Sequence, residues 1–182
     1  TVDLTYNITL NQKAVIKKIN FSGNKIFKSR LLSSIIVTEE NKFWKFLSKK
    51  KYLNERQIQL DQRLLKNFYL NEGYYNVKIS QTSANIIQKN NFSLTYNINA
   101  GKKFYFNNLS LNIPTDYDPN NFKFIKQLLD DLEDKAYSIN RINELLNEID
   151  KIAITKQYEF INASFKESIF DENKIDIEFV IN

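Results

Sequence analysis

The hydrophobic and polar positions of this chain follow two periods, one typical of amphipathic helices and one typical of strands. Residues 54–73 have the helical period, because their apolar side chains recur on one side of a spiral of about 3.6 residues per turn. The apolar positions on that side are Ile58, Leu60, Leu64, Leu65, Phe68 and Tyr69. We expect Asn54 to cap this helix and Gly73 to end it. From Tyr74 the period changes to two, which predicts a strand directly after the helix.

The same succession of strands and helices occurs twice along the chain. The sequence LTYNI at residues 4–8 recurs at residues 94–98, each time within an alternating run. A second long helix is predicted at residues 138–156. Its apolar stripe consists of Ile139, Ile142, Leu145, Leu146, Ile149, Ile152 and Ala153. Self-similarity of this kind predicts tandem modules.

The repeat also predicts where the modules begin and end. Residues 1–10 are expected to be the last strand of a preceding module. A first complete module is expected at residues 11–100 and a second at residues 101–182. Each complete module is predicted to have the element order β-α-α-β-β.

Local signals place the remaining elements of the first module. A strand is predicted at residues 15–21, and Gly23 allows the tight turn that stops it. Ser29 is expected to cap a short helix. The strand that follows the long helix is expected to continue to Ile87, and a turn at residues 89–91 makes it a hairpin with the next strand.

The second module shows the corresponding signals. Residues 104–113 are predicted to form its first strand, and Asp118 is expected to cap a helix that has Pro119 in its first position. After the long helix, a strand is predicted near residues 160–165. A turn at residues 171–173 then leads into the closing strand.

The composition limits the chemistry that the chain can perform. A hydrophobic content of 42% with 14% aromatic residues argues for a folded chain. Cysteine and histidine are absent, which removes disulfides, thiol chemistry and the commonest general base and metal ligand. The three glycines have no phosphate-loop spacing. We therefore predict no catalytic residues, no metal site and no cofactor, and we do not expect an enzyme.

Charge is divided unevenly between the two modules. Residues 11–100 hold 16 Lys and Arg against 5 Asp and Glu, whereas residues 101–182 hold 10 against 15. An insertion at residues 39–51, which the second module lacks, mixes aromatic and basic side chains: Phe43, Trp44, Lys45, Phe46, Lys49, Lys50 and Lys51. Such a mixture is compatible with a surface for a partner, a membrane interface or a nucleic acid. We expect its aromatic residues to pack as a satellite core over the end of the helix pair.

A family resemblance follows from particular residues of the first module. Ile16, Ile19 and Phe21 precede the Gly23 turn and Phe27, and the long helix ends in FYLNEGYYNV at residues 68–77. This pattern resembles a POTRA domain, and the two modules resemble the third and fourth POTRA domains of BamA-type assembly factors. The resemblance implies an α+β fold of tandem modules, each with two helices packed on a three-stranded mixed sheet.

The resemblance also implies a function. POTRA arrays of this type lie in the periplasm as part of an outer-membrane protein, dock accessory lipoproteins and guide unfolded outer-membrane proteins. An extended peptide would add to an exposed sheet edge, here the second strand of the first module. The implied edge residues are Ser80, Gln81, Thr82, Ser83, Ala84, Asn85, Ile86 and Ile87.

Two alternatives remain open at this point. The POTRA modules could belong to a different parent, such as a translocation pore, a two-partner secretion protein or a division protein. The basic first module could instead bind nucleic acid, which would predict steeply salt-dependent binding. The assembly-module interpretation expects no nucleic-acid partner, and it keeps a membrane surface among its candidate partners.

Overall fold

The computed structural model describes residues 13–45, 47–158 and 162–181, without the side chains of Lys45 and Gln81. The strands and helices are β1 (Val15–Ser22), α1 (Ser29–Ile35), α2 (Glu55–Asn71), β2 (Lys78–Gln88), β3 (Asn91–Asn99), β4 (Tyr105–Asn112), α3 (Lys123–Asp130), α4 (Ile139–Thr155), β5 (Ala163–Asp171) and β6 (Lys174–Ile181). Short 3₁₀ turns at Phe43–Lys45 and Pro119–Phe122 complete the described elements. The predicted strand at residues 1–10 lies outside the described residues.

The first sheet has the strand order β1-β3-β2. β1 runs parallel to β3, with Ile16 opposite Phe92 and Phe21 opposite Tyr96. β2 and β3 are hydrogen-bonded neighbours joined by two residues, so they form an antiparallel hairpin. Asn90 takes a positive φ of 60° in that turn. The sheet is therefore mixed, as predicted.

The second sheet repeats this arrangement with the order β4-β6-β5. β4 runs parallel to β6 and β5 runs antiparallel to it. The register of each parallel pair shifts at the same place, between Ile16 and Lys18 in β1 and between Phe106 and Leu109 in β4. The predicted order β-α-α-β-β and the α+β fold class are thus confirmed.

Each compact unit has an apolar interior built from its helices and its central strand. In the first sheet, alternate residues of β3 are buried, as the period of two predicts. In the second unit, Ile142, Leu145, Ile149 and Ala153 of α4 are buried, which confirms the predicted helical stripe. They pack with the alternate buried residues of β6, among them Ile177 and Phe179.

The buried face of α2 differs from the prediction at two neighbouring positions. Leu60 is exposed, whereas Asp61 is fully buried. Leu65 and Tyr69 are fully buried, as the apolar pattern predicted. The helix therefore presents a carboxylate to the interior between two apolar turns, and the apolar stripe is narrower than the sequence suggests.

Most helix caps follow the sequence. Asn54 Oδ1 accepts hydrogen bonds from the backbone nitrogens of Arg56 at 2.9 Å and Gln57 at 3.3 Å. Gly73 has a φ of 96°, the left-handed conformation expected after the end of α2. Asp118 accepts from the Asn120 nitrogen at 2.9 Å, so the predicted cap next to Pro119 is also present.

Three predicted boundaries are wrong. β2 begins at Lys78 and not at Tyr74, because the residues after Gly73 form a turn in which the Val77 nitrogen donates to the Tyr74 carbonyl at 3.1 Å. α1 is preceded by Lys28, which makes no side-chain cap, and Ser29 is already its first residue. The strand predicted near residues 160–165 is β5, Ala163–Asp171, and residues 159–161 lie outside the described residues.

The chain divides into two compact units. The first contains the described residues up to Leu65 together with Ile79–Asn99, and the second contains Lys66–Lys78 together with the described residues from Ala100 onwards. In the second unit, the Tyr75 ring lies 5.5 Å from that of Phe104 and 5.1 Å from that of Tyr137, measured between centroids. Among the described residues, no helix combines the length and the apolar character needed to cross a bilayer.

Candidate functional site

The outer side of the start of β1 is covered by the two ends of the insertion and by Leu53. The Ile16 nitrogen donates to the Lys51 carbonyl at 2.8 Å, and the Ile16 carbonyl accepts from the Asn41 nitrogen at 2.8 Å. The Leu53 nitrogen donates to the Ala14 carbonyl at 3.0 Å. With the bond from the Ile19 nitrogen to Glu40 Oε1 at 3.0 Å, they occupy backbone groups in the first half of β1 that could otherwise pair with another strand.

β2 forms the opposite edge of the same sheet. All eight predicted edge residues, 80–87, lie within β2, which has β3 as its neighbour. Between described residues, no backbone hydrogen bond joins a further segment to its outer side. Among the described residues, the first sheet therefore has one edge, at the start of β1, that is bonded to other segments, and one edge, along β2, to which no further segment is bonded.

The two halves of this edge differ in their surroundings. Thr82 is held against α2, because Gln62 Nε2 donates to Thr82 Oγ1 at 2.9 Å. Ala84 and Asn85 are exposed, and so are the two apolar residues that follow, Ile86 (72% exposed) and Ile87. Consecutive residues of a strand point to opposite faces, so Ile86 and Ile87 place one apolar side chain on each side of the edge.

The second sheet has an equivalent edge that sequence analysis missed. The outer side of β4 is covered at its start, since the Phe106 nitrogen donates to the Lys135 carbonyl at 2.9 Å and the Asp134 nitrogen donates to the Phe106 carbonyl at 3.1 Å. β5 forms the opposite edge, and it also ends in two consecutive exposed apolar residues, Ile169 and Phe170. The apolar pairs at 86–87 and 169–170 stand at the same position before their hairpin turns. This correspondence is visible in the sequence and could have predicted the second edge.

The insertion contradicts the expected satellite core. Phe43 is 87% exposed, Trp44 61% and Leu47 82%, so these side chains are directed to solvent. The rings of Phe43 and Trp44 contact each other edge to face with centroids 4.6 Å apart. The two ends of the insertion are bonded to the start of β1, through the backbone groups of Asn41 and Lys51.

The basic residues of the insertion divide into exposed and buried ones. Lys49 and Lys50 are exposed, whereas Lys51 is buried with its Nζ 5.7 Å from the centre of the Tyr52 ring. Lys51 is therefore not part of the exposed surface that the sequence suggested. The side chain of Lys45 and the whole of Phe46 lie outside what the structure describes.

A buried carboxylate in the first unit is a further polar feature that sequence analysis missed. Asp61 accepts hydrogen bonds from the Val37 nitrogen at 2.6 Å, from the Thr38 nitrogen at 3.3 Å and from the Tyr96 hydroxyl at 2.6 Å. Burial and the adjacent Asp61 carboxylate raise the pKa of Tyr96 well above its ordinary value. The tyrosine therefore stays a neutral donor, and the cluster ties α2 to β3 and to the end of α1.

A comparable tyrosine–carboxylate cluster occurs in the second unit. The Tyr137 hydroxyl donates to Glu167 Oε1 at 2.7 Å and the Tyr75 hydroxyl donates to Glu167 Oε2 at 3.1 Å. Burial first, and then the contact with Glu167, raise the pKa of both tyrosines. Among the described residues, no group of three or more carboxylates is placed to hold a metal ion. Both clusters thus act as internal structural bonds.

Comparison with known proteins finds a family match for the first module and relatives that match most of the chain. Residues 14–101 match the POTRA family model, described as a surface antigen variable number repeat. The chain is 26% identical over 167 residues to the outer membrane protein assembly factor BamA of Buchnera aphidicola subsp. Acyrthosiphon pisum, a match that covers 88% of this chain and 26% of that protein. BamA of Neisseria meningitidis serogroup B is 24% identical over 182 residues, which is all of this chain and 22% of that protein. The chain spans about a quarter of the length of these curated relatives.

Solved structures agree with this relationship at the level of the fold. POTRA domains 3–5 of Haemophilus influenzae BamA superimpose with a TM-score of 0.69 at 18% identity, covering 94% of this chain and 66% of that chain. BamA of Haemophilus ducreyi lacking POTRA domains 1–3 gives a TM-score of 0.62 at 12% identity, covering 92% and 29% respectively. Residues 14–101 match the POTRA family, and this match, the BamA relatives and the two β-α-α-β-β units together support POTRA domains of the BamA type in this chain.

Proposed function

We propose that this chain is a periplasmic binding module of an outer-membrane protein assembly factor, and that it guides unfolded outer-membrane proteins without catalysing a reaction. An extended segment of the substrate pairs with β2 and lengthens the first sheet by one strand. The observation that carries the proposal is the asymmetry of this sheet: the first half of β1 is bonded to other segments, whereas between described residues no further segment is bonded to the outer side of β2.

Strand addition suits a module that must accept many substrates. Backbone N–H and C=O groups make the bonds, so the sequence of the bound segment matters little. Specificity for barrel strands then comes from their alternation of apolar and polar side chains. Every second side chain of an added strand lies on the same face, next to Ile86 or Ile87. The polar residues from Ser80 to Asn85 limit self-association of the open edge.

An NMR titration tests this mode of binding. The labelled chain is mixed with a peptide of alternating apolar residues taken from a barrel strand, and we expect amide shifts concentrated at residues 80–87. The control peptide has the same sequence with N-methyl groups on alternate residues, which removes its donors on one edge. Equal binding of both peptides, or shifts that avoid β2, would refute strand addition at this edge.

The accessory lipoproteins of the assembly complex form the second part of the proposal. Exposed apolar residues beside an open edge provide the contact that a folded partner needs in addition to backbone pairing. We expect the double substitution Ile86→Ser with Ile87→Ser to weaken docking of such a lipoprotein in a calorimetric titration. The matched control is Ile169→Ser with Phe170→Ser at the corresponding position of β5. A larger loss in the control would move the docking site to the second unit.

A further inference from the structure

The exposed residues of the insertion form a compact surface of mixed apolar and basic character. We call it the insertion surface, and it consists of Lys42, Phe43, Trp44, Leu47, Lys49 and Lys50. The insertion leaves the body of the first unit at Asn41 and returns at Lys51, and both are hydrogen-bonded through the backbone to Ile16. The Glu39 nitrogen also donates to the Lys50 carbonyl at 3.1 Å, which closes the base of the loop. Its apolar tip therefore projects from a fixed base.

The acidic residues of the loop are directed inwards. Glu39 Oε2 accepts a hydrogen bond from Ser48 Oγ at 3.2 Å, and Glu40 Oε1 accepts from the Ile19 nitrogen at 3.0 Å. Both glutamates are partly buried, whereas Lys42, Lys49 and Lys50 are exposed, and Lys42 Nζ lies 3.7 Å from Glu40 Oε2. The outward face of the loop is consequently positive, chiefly at Lys49 and Lys50, although its sequence contains charges of both signs.

Further exposed lysines lie at the same end of the first unit. The Val15 nitrogen donates to the Asn90 carbonyl at 2.8 Å, which brings the β2–β3 hairpin turn next to the start of β1. Lys89 in that turn and Lys13 before β1 are both exposed. The loop base and the hairpin turn therefore surround the first residues of β1 with positive charge.

The chemistry of the tip favours lipid over nucleic acid. A nucleic-acid base stacks on an open aromatic face. Here Lys42 Nζ lies 5.7 Å from the centre of the Trp44 ring, and Phe43 packs edge to face against it. Leu47, which is almost fully exposed, offers nothing to a base, but it suits the apolar layer below lipid headgroups. Tryptophan itself favours the membrane–water interface.

We propose that the insertion surface docks on the surface of a bilayer that contains anionic lipids. Phe43, Trp44 and Leu47 enter the headgroup layer, and the lysines pair with lipid phosphates. The bilayer would hold the first unit close to the membrane while β2 binds its substrate. The proposal does not depend on peptide binding at β2, and the two can fail separately.

The chain contains a built-in reporter for this test. Trp44 is the single tryptophan in its 182 residues, so intrinsic tryptophan fluorescence reports on the insertion surface alone. The chain is titrated with vesicles of phosphatidylcholine and with vesicles of phosphatidylcholine and phosphatidylglycerol in equal amounts. We expect a blue shift and protection from aqueous quenchers on the anionic vesicles, both weakened by salt.

Two variants separate the charge contribution from the apolar one. Replacing Lys42, Lys49 and Lys50 by Gln is expected to weaken vesicle binding about fivefold per lysine, or roughly a hundredfold in all. The double substitution Phe43→Ser with Leu47→Ser retains Trp44 as the reporter and is expected to abolish most of the blue shift. These side chains are exposed, so we expect the variants to keep the circular dichroism spectrum of the parent chain.

Matched controls come from the second unit. Lys102, Lys151 and Lys166 are exposed, and replacing them by Gln changes the net charge equally. The exposed Phe124 provides the apolar control as Phe124→Ser. If the control lysines mattered as much as those of the insertion, net charge would account for the binding and the proposal would be wrong. It would also be wrong if Trp44 stayed exposed on anionic vesicles, or if a single-stranded oligonucleotide bound the insertion surface more tightly than the vesicles do.

Discussion

Asp61 joins three segments of the first unit through bonds to a single carboxylate. Two of its donors are the backbone nitrogens of Val37 and Thr38, which follow α1, and the third is the hydroxyl of Tyr96 on β3. A carboxylate in the interior is costly unless its oxygens are bonded, and a buried N–H without an acceptor is also costly. Each group therefore depends on the others being present.

We expect Asp61→Ala to lower the free energy of unfolding by about 3 kcal/mol, because three donors would lose their acceptor in a buried position. Urea denaturation measures the change. Asp61→Asn keeps one carbonyl oxygen and should cost less. The control, Asp131→Ala, removes an exposed carboxylate and is expected to stay within about 0.5 kcal/mol of the parent. A loss of the same small size for Asp61→Ala would show that the cluster contributes nothing net.

The buried tyrosines make stability depend on alkaline pH. Burial raises the pKa of Tyr69 to about 12, and burial together with a bonded carboxylate raises the pKa of Tyr96 and Tyr137 as well. An unfolded tyrosine titrates near pH 10, so above that pH the unfolded chain binds fewer protons than the folded chain. Stability is therefore complete below about pH 10 and falls as the pH rises further.

The slope of that fall is the measurable quantity. Each such tyrosine contributes up to about 1.4 kcal/mol per pH unit above the unfolded pKa. Urea denaturation between about pH 9 and pH 11 is expected to show a shallower slope for Tyr96→Phe than for the parent chain. The loss of the Tyr96 hydroxyl lowers the free energy of unfolding by the same amount at every pH. Comparing the slopes against pH therefore removes this contribution. Parallel curves would mean that Tyr96 titrates alike in both states.

The buried tyrosines and Asp61 also mark the limit of sequence analysis for single residues. The helical stripe correctly placed Leu65 and Tyr69 in the interior. Asp61 lies on the same side of α2, but an aspartate in a helix is ordinarily assigned to solvent. Its carboxylate oxygens are needed as acceptors because Val37 and Thr38, which follow α1, lie beside it, and that contact is tertiary. Leu60 is exposed, so the predicted apolar side of α2 was one position too wide.

Element boundaries were most predictable where a side chain caps a helix end. Asn54 was expected as a cap and accepts from the backbone nitrogens of Arg56 and Gln57, whereas Ser29, also expected as a cap, is the first residue of α1. Ser138 was predicted only as the first residue of the second long helix, and the structure shows it as the cap of α4. The start of β2 was predicted too early because Gly73 sets a turn that includes residues 74–77, and alternation persists through it by chance. The expected satellite core in the insertion was wrong, because aromatic content alone does not distinguish a packed loop from one whose side chains, here Phe43, Trp44 and Leu47, are exposed.

The two caps provide a prediction at the scale of the elements. Asn54→Ala is expected to lower the free energy of unfolding by about 1 kcal/mol. Ser138→Ala should cost less through capping itself, since Ser138 Oγ accepts from Arg141 at a longer distance, 3.4 Å, than the 2.9 Å from Arg56 to Asn54. Thermal and urea unfolding of the two variants checks the order. A larger loss for Ser138→Ala would show that its bond to Asn71, at 3.2 Å, outweighs the cap.

At the scale of the whole molecule, the sequence repeat and the packing divide the chain differently. The repeat predicts a first module that includes every residue from 11 to 100, whereas packing assigns Lys66–Lys78 to the unit formed with Ala100–Asn182. The sequence repeat shows which helices and strands follow the same pattern. Packing shows which side chains share one apolar interior. The fold of each module was therefore predictable from the sequence, whereas the compact unit in which Tyr75 packs was not.

Tyr75→Ala separates these two descriptions. The substitution removes a ring that contacts both Phe104 and Tyr137 and a hydroxyl that donates to Glu167. We expect it to cost about 2 to 3 kcal/mol. The loss should fall on the second unit, so native-state hydrogen exchange would show faster exchange in β5 and β6.

The matched variant is Asp61→Ala, which should accelerate exchange in β3 of the first unit instead. Tyr75 stands close to β2 in the sequence, so a description based on sequence alone predicts faster exchange in β2 and β3 for both variants. Acceleration in β5 and β6 for Tyr75→Ala alone would establish that the residues after α2 stabilise the second unit. The same pattern for both variants would mean that the two units unfold as one and that the division has no energetic consequence.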